Sequence, residues 1–320
     1  MSDLLAIEAN HVGKRYGSLG ALDDLTFAAE PGEILGVLGP NGAGKTTAIR
    51  VLTTILEPTQ GSFSVAGVPH TRPAEIRARI GVLPESAGYP ERQTAEEYLR
   101  YHARLYGRSR AEASAVARRL IEEVGLEERS RSLIAAFSRG MRQRLGIARA
   151  LVNEPDVVFL DEPTLGLDPG GQRQILGTVR TIARERGATV LLSTHLLAEV
   201  EETCSRVLIL NRGRVAAQGT VAEVAGLAAA PRSARLRVSA EHVDRALAAL
   251  ATAPQISAAE PAEGPPGSLA VTLARANGRP GEELLNEGLR ALVEAGVPVR
   301  SFELEGARLS DAFLAMTEAA

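Results

Sequence analysis

The segment Gly39-Pro-Asn-Gly-Ala-Gly-Lys-Thr46 constrains this 320-residue chain more than any other part of its sequence. It matches the pattern G-x-x-x-x-G-K-[ST] and follows Ile34–Leu38, an apolar run typical of a strand buried on both faces of a parallel sheet. Chance would place such a match in a chain of this composition only about 0.002 times. The segment therefore predicts a strand, a phosphate-binding loop and a helix in succession.

The loop residues have the chemistry to bind a nucleotide triphosphate. Glycines let the backbone approach phosphate oxygens, and the N–H groups of the loop and the following helix point at the anion. We expect Lys45 to reach the β- and γ-phosphates and the Thr46 hydroxyl to coordinate Mg²⁺. The predicted nucleotide-binding residues are Gly39, Pro40, Asn41, Gly42, Ala43, Gly44, Lys45, Thr46 and Thr47.

A second buried strand is predicted at Asp156–Leu160, and two carboxylates follow it, Asp161 and Glu162. The carboxyl end of a strand in an α/β sheet faces the ligand crevice. Asp161 is predicted to hold Mg²⁺, through water. Side chains alternate along an extended segment, so Glu162 points elsewhere and is predicted to act as the general base on a water in line with the γ-phosphate. A solvated acid at a strand end is the alternative interpretation of Glu162.

The alternation of apolar strands, loops and helices along the first two thirds of the chain predicts an α/β core. The composition shifts near Leu227, which places a domain boundary at 228/229. Residues 229–320 follow the order β-α-β-β-α-β, which fits a small ferredoxin-like α+β domain. No catalytic cluster is evident in that domain, and we expect a dimer-stabilising or regulatory role for it.

Composition excludes several classes of protein. No stretch approaches the roughly 18 apolar residues of a membrane-spanning helix, and the acidic N-terminus is not that of a signal peptide. Cys204 is the single cysteine, which favours a reducing compartment. The net charge of −3 gives no reason to expect nucleic acid as a partner.

The segment Phe137–Arg144, FSRGMRQR, resembles the signature motif of ABC ATPases, and residues 4–225 resemble the ATP-binding subunit of an ABC transporter. Ser138 is a good N-cap, and the helix it opens presents N–H groups to an anion. The resemblance implies that Ser138 and Gly140 contact ATP held by a second copy of the chain, in a head-to-tail dimer. It also implies a P-loop core with an antiparallel β subdomain and a helical subdomain, residues 86–136.

Four more positions take their roles from this resemblance. Tyr16 corresponds to the aromatic residue that stacks on adenine, and Asp168 lies in the D-loop that connects the two sites. His195 corresponds to the switch histidine at the γ-phosphate, a catalytic role. Glu85 occupies the Q-loop position, where it would contact ATP and Mg²⁺. The resemblance further implies an integral-membrane permease subunit as partner, and a cytoplasmic location on the inner face of the membrane.

Two departures from the family pattern indicate which group of ABC transporters this chain resembles. Position 85 usually holds glutamine and position 139 usually holds glycine, whereas this chain has Glu85 and Arg139. Both replacements resemble those of bacterial multidrug and antibiotic-resistance exporters of the daunorubicin type, which implies drug export. Transport of a sodium ion, a lipid or a peptide stays open, as does a soluble ABC ATPase without a transport role. Tyr89 and Tyr98, in the helical subdomain, are predicted either to contact the permease or to pack within the subdomain.

Overall fold

The computed structural model describes residues 5–227, 233–274, 281–304 and 309–318. The chain divides into two compact units, one extending to Val221 and the other beginning at Ala222. The predicted boundary, 228/229, lies outside the described residues. Among the described residues, no helix combines the length and apolarity needed to cross a bilayer.

The strands of the first unit form one mixed sheet. In chain order they are β1 (Ile7–Tyr16), β2 (Leu19–Ala29), β3 (Ile34–Leu38), β4 (Gln60–Val65), β5 (Val68–Pro69), β6 (Ile80–Leu83), β7 (Val157–Asp161), β8 (Thr189–Ser193), β9 (Arg206–Asn211) and β10 (Arg214–Thr220). Their order across the sheet is β5-β4-β1-β2-β10-β9-β3-β8-β7-β6.

Neighbouring strands run parallel from β9 through β3, β8 and β7 to β6. Every residue of β3, β7 and β8 is buried, as expected for continuous apolar runs covered on both faces. Because the carboxyl ends of parallel strands meet at one edge, the segments that follow β3, β6, β7 and β8 are brought together there. These segments contain the phosphate loop, Glu85, Glu162 and His195.

Strands β1, β2, β4 and β5 pair antiparallel, which confirms the expected antiparallel part of the fold. The helices of the first unit are α1 (Lys45–Leu52), α2 (Pro73–Arg79), α3 (Ala95–Leu105), α4 (Arg110–Glu123), α5 (Arg139–Ala150), α6 (Pro169–Arg186) and α7 (Leu197–Thr203); α8 (Val221–Gly226) follows at the boundary. Capping boxes at Thr94 and Ser109 open α3 and α4, the two α-helices of the predicted helical subdomain.

The second unit contains β11 (Ser233–Val238), α9 (Val243–Ala251), β12 (Ile256–Pro261), β13 (Ser268–Leu273), α10 (Gly281–Glu294), β14 (Val299–Leu304) and α11 (Leu309–Glu318). Its sheet has the order β12-β13-β11-β14, with all neighbours antiparallel. Leu236 and Val271 of the sheet share a core with Leu250 of α9 and Leu292 of α10. The β-α-β-β-α-β order is the one predicted from the sequence.

Candidate nucleotide-binding site

The phosphate loop joins the end of β3 to the start of α1 and needs glycine at its tightest points. Gly44 has a φ of 108°, and a Cβ there would lie 2.7 Å from the carbonyl oxygen of Ala21. A Cβ at Gly39 would lie 2.5 Å from the carbonyl oxygen of Leu210. Since the residue before α1 is a glycine, no side chain caps this helix and competes with an anion for its first N–H groups.

A cavity of about 450 Å³ lies over the loop. It brings together predicted site residues from four segments of the chain, namely Pro40, Asn41, Gly42, Ala43, Gly44, Lys45, Thr46, Thr47, Glu85, Glu162 and His195, and Ala21 and Leu165 complete its lining. Gly39, Tyr16 and Asp161 are predicted site residues that do not line this cavity. We call it the phosphate-loop cavity.

Lys45 is held at the floor of this cavity. Its side chain is 8% exposed, and its Nζ donates a hydrogen bond to the carbonyl oxygen of Gly39 at 2.7 Å. The same Nζ lies 3.7 Å from Oε1 of Glu162. The ammonium group is therefore placed between a backbone carbonyl and a carboxylate, in surroundings where electrostatic attraction to an anion is stronger than in water.

Glu162 follows β7 with a φ of 49°, which is unusual for a residue that is not glycine. Its N–H group donates to the carbonyl oxygen of Ser193 at 3.0 Å, a bond that ties it to the end of β8. Its Oε2 lies 2.8 Å from Nδ1 of His195. Left-handed backbone at a non-glycine residue is costly, and such residues are enriched at functional sites. The conformation turns the carboxylate toward Lys45 and His195.

Asp161 is the last residue of β7 and is 2% exposed. The register of the parallel pair places it opposite Ser193 of β8, whose hydroxyl donates to Oδ1 of Asp161 at 2.7 Å. Asp161 and Glu162 thus make different contacts, as predicted, but the predicted reason is wrong: Glu162 lies after the strand, and its left-handed backbone rather than alternation along an extended segment sets its direction.

A second cavity, of about 350 Å³, lies at the N-terminus of α5. The Ser138 hydroxyl accepts a hydrogen bond from the N–H group of Met141 at 3.3 Å, which confirms Ser138 as the N-cap of this helix. The lining includes three predicted site residues and eight others: Ser138, Gly140 and Asp168, with Arg139, Met141, Arg144, Gly166, Leu167, Gly171, Gln174 and Ile175. We call it the signature cavity; it shares no lining residue with the phosphate-loop cavity.

Arg139 lies over the segment between β7 and α6. Gly166 has a φ of 71°, and a Cβ at this position would lie 2.8 Å from Cζ of Arg139. The guanidinium group therefore covers Gly166, two residues before Asp168. A side chain at position 166 would push Arg139 away from its place.

Tyr16 and Glu85 are predicted ligands that are exposed to solvent. Tyr16 ends β1, is 44% exposed, and has Nζ of Lys14 at 5.6 Å from its ring centroid. Glu85 follows β6 by two residues and lines both the phosphate-loop cavity and a groove of about 430 Å³ beside it. The stacking role of Tyr16 stays a prediction.

Tyr98 and Tyr89 pack inside the helical part of the fold. Tyr98 is 4% exposed and meets His102 edge to face, with ring centroids 4.6 Å apart. Burial raises the pKa of Tyr89 to about 12. The structure therefore favours packing over partner contact for Tyr98. Exposed apolar side chains near the end of α3 belong instead to Tyr101, Leu105 and Tyr106.

Sequence reasoning missed two buried residues that support the site, Thr194 and Glu199. The Thr194 hydroxyl donates to Oε2 of Glu199 at 2.8 Å, and both residues are buried. In the structure, positions 199, 200 and 203 share one helical face and all three are buried, which the sequence alone does not show. An acidic residue at the first of these positions is the anomaly that points to it.

The fold and the two cavities define a P-loop ATPase core, and comparisons with known proteins identify its family. The family model described as ABC transporter matches residues 22–165. The daunorubicin resistance ATP-binding protein DrrA3 of Streptomyces coeruleorubidus is 37% identical over 313 residues, which are 98% of this chain and 96% of that protein. The Nod factor export ATP-binding protein I of Paraburkholderia xenovorans is 42% identical over 67% of this chain and 70% of its own length.

A solved structure gives the same result for the fold. The dimeric structure of a bacterial ABC transporter cassette matches 67% of this chain and 98% of its own chain, with a TM-score of 0.62 and 25% identity. The chain therefore belongs to the ABC transporter family, as an ATP-binding subunit that hydrolyses ATP and serves as the motor of a transporter.

Proposed function

We propose that this ATPase subunit drives export of a drug or antibiotic through a separate integral-membrane subunit. The observation that carries the proposal is the extent of the similarity to the daunorubicin resistance protein, which spans 98% of this chain and so includes its second unit. The Nod factor export relative matches only 67% of the chain. Glu85 and Arg139, which replace the usual glutamine and glycine, favour the same group of exporters.

In the proposed reaction the phosphate loop and Lys45 bind the phosphates of ATP. Glu162 accepts the proton of the attacking water, since its carboxylate lies in the phosphate-loop cavity, beside Lys45. His195 holds the Glu162 carboxylate through its contact with Oε2 and lines the same cavity, where it would contact the γ-phosphate. Closing this cavity would exclude bulk water and strengthen each of these interactions.

The residues present fit Mg²⁺ as the cofactor. Thr46, Asp161 and Glu85 offer a hydroxyl and carboxylates, the oxygen donors that Mg²⁺ prefers. Among the described residues, no group of three or more histidine, cysteine, aspartate or glutamate side chains could hold a metal ion. A site with few protein ligands, completed by phosphates and water, is characteristic of Mg²⁺. When bound, the ion neutralises charge on the phosphates.

A second copy of the chain would complete each site. The signature cavity offers the N-terminal end of α5, whose N–H groups and dipole attract an anion, together with Arg139. It has no counterpart of Lys45 or Glu162 among its lining residues. A head-to-tail dimer would bring Ser138 and Gly140 of one copy to the ATP held by the phosphate loop of the other, and Asp168 would lie between the sites.

We assign residues 1–228 to the ATP-binding domain, with 86–136 as its helical subdomain, and 229–320 to a dimer-stabilising or regulatory domain. The exposed side chains of Tyr101, Leu105 and Tyr106 are suited to contact the membrane subunit. Binding to that subunit would place the chain on the cytoplasmic face of the membrane.

Co-purification with the membrane subunit, followed by reconstitution into lipid vesicles, tests the proposal. We expect an aromatic drug of the daunorubicin class to stimulate ATP hydrolysis by the complex, and Glu162→Gln to abolish the stimulation. If sodium ions, a lipid or a peptide stimulated hydrolysis instead, that class would replace a drug as the proposed substrate. A chain that binds no membrane protein but hydrolyses ATP would contradict the transport role.

A further inference from the structure

Three consecutive residues at the end of β8, its last residue and the two that follow it, contact three different carboxylates. Ser193 donates to Asp161, Thr194 donates to Glu199, and Nδ1 of His195 lies 2.8 Å from Oε2 of Glu162. Two of these carboxylates belong to the proposed catalytic machinery. The third, Glu199, lies on α7 and does not line the phosphate-loop cavity.

The Thr194–Glu199 pair holds the backbone on both sides of His195. The Thr194 hydroxyl donates to Oε2 of Glu199 at 2.8 Å and accepts a hydrogen bond from the N–H group of Leu196 at 3.1 Å. The N–H group of Thr194 donates to the carbonyl oxygen of Val37, in β3, at 3.2 Å. His195 therefore lies between Thr194, whose N–H group is bonded to β3, and Leu196, whose N–H group is bonded to the Thr194 hydroxyl.

Burying the Glu199 carboxylate in order to accept one hydrogen bond from a hydroxyl lowers the stability of the fold. Glu199 is 5% exposed, and its buried Oε1 has no hydrogen-bond partner among the residues that the structure describes. Burying a carboxylate with an unsatisfied oxygen costs stability, and an apolar residue at this position of the buried face of α7 would avoid that cost. Such costs are expected where a group serves function rather than stability.

We propose that Glu199 is a positioning residue for ATP hydrolysis: through Thr194 it fixes the turn that carries His195, and so the contact between His195 and Glu162. The proposal rests on the proposed roles of His195 and Glu162. Glu199 itself does not line the phosphate-loop cavity, so its proposed role is indirect.

Kinetics of the full-length protein with four variants tests this. Thr194→Val removes the hydroxyl with little change of shape, and Glu199→Ala removes its acceptor. We expect either change to lower kcat about 10-fold, because small displacements of a catalytic group are costly, while KM for ATP stays the same. Glu199→Gln retains an oxygen acceptor and should keep nearly full turnover. Glu202→Gln, on the same helix, removes only an exposed pair with Arg180 and should change nothing.

The imidazole signals of the protein give a readout that does not depend on activity. The chain has five histidines, and the His195 signal is assigned by its loss in His195→Ala. Thr194→Val and Glu199→Ala should each move the His195 signal in a ¹H–¹³C spectrum of the nucleotide-free protein and leave the other four in place. Glu202→Gln should move none of them.

The proposal is overturned if the His195 signal stays in place in Thr194→Val, or if Glu199→Gln loses as much turnover as Glu199→Ala. It is also overturned if Thr194→Val lowers the remaining turnover of His195→Ala by the same factor as in the wild type. A His195→Ala variant with full ATPase activity would refute the proposed role of His195. That result can be distinguished from failure of the Glu199 proposal, since the spectra would still report whether Glu199 holds the turn that carries His195.

Discussion

The two cavities of the ATP-binding unit rely on the same physical feature, the N-terminus of a helix, but differ in what surrounds it. The phosphate-loop cavity has a helix begun by glycine, a nearly buried lysine and a carboxylate held by a histidine. The signature cavity has a helix capped by Ser138 and the guanidinium group of Arg139, without a counterpart of Glu162 among its lining residues. The phosphate-loop cavity is equipped to bind ATP and activate the attacking water, whereas the signature cavity contributes only positive potential.

Under the proposed mechanism, this difference means that neither region is a complete reaction centre. Stabilising the charge that develops on the γ-phosphate requires donors on several sides of it, and the phosphate loop supplies them from one side. The signature cavity of a second copy would supply the rest. Variants that alter one cavity show whether the other still binds ATP or supports its hydrolysis.

The largest effect is expected for Glu162→Gln, which removes the proposed base from the phosphate-loop side. Turnover should fall about 10²-fold or more, the typical loss for a general base, because the amide cannot accept the proton. Phosphate release measures turnover, and ATP affinity, measured by calorimetry, should survive. The matched control is Glu185→Gln, an exposed glutamate of α6. A Glu162→Gln variant with wild-type turnover would show that the base is elsewhere.

The next effect concerns Ser138→Ala, on the signature side. Loss of the N-cap should lower the free energy of unfolding by about 1 kcal/mol. Turnover should fall about 10-fold, because α5 no longer presents its first turn in the same way to the ATP of the second copy. Binding of ATP to the isolated chain should not change, since the phosphate-loop cavity is intact.

Ser109→Ala separates stability from catalysis in this comparison. Ser109 caps α4 with the same type of hydrogen bond, so its loss should cost similar stability and leave turnover unchanged. Thermal unfolding and ATPase rates are measured on both variants. Equal loss of turnover in the two variants would mean that Ser138 acts only as a cap.

Removal of residues 229–320 should have a small effect on nucleotide binding. Both cavities are lined entirely by residues of the first unit, so the truncated protein should bind ATP with the affinity of the full chain. Calorimetry on a truncation that is folded by circular dichroism measures this. Loss of ATP binding in such a protein would place the domain boundary elsewhere.

The smallest effect is expected at Cys204, which reports on the core beneath the phosphate loop. Burial raises the pKa of its thiol to about 12, so the reactive thiolate is scarce at pH 8. Its Sγ also lies close to Gly36 of β3, the strand that leads into the loop. A thiol reagent should therefore react slowly with the native protein and rapidly after unfolding. Fast reaction in the native state would mean that the structure around Cys204 opens readily to solvent.

The parts of the site that depend on local sequence could be predicted. A strand, a glycine-rich turn and a helix start are adjacent in the chain, so Gly39–Thr46 and the strand before it follow from their own residues. Ser138 as an N-cap is equally local. The order of elements in the second unit could also be predicted, because several of its elements have a regular apolar pattern, such as the alternation of buried and exposed residues in β11.

Other features depend on tertiary structure. The bond between Ser193 and Asp161 joins residues 32 positions apart and requires the observed register of β7 and β8. The position of Arg139 over Gly166 depends on the turn at Gly166. Helix α6 was not predicted, since it begins with Pro169-Gly-Gly171, although its buried face from Ile175 to Ala183 has helical spacing. Strand β4 is rich in glycine and serine, and β5 consists only of Val68 and Pro69, so their pairing partners define both strands.

The measurement that tests the central claim most directly is the specific ATPase activity of the purified protein as a function of its concentration, with the oligomeric state followed by light scattering. If two copies complete each site, the specific activity should rise with concentration and level off as dimers form. Full activity that is independent of concentration, in material that scatters light as a monomer throughout, would contradict the account.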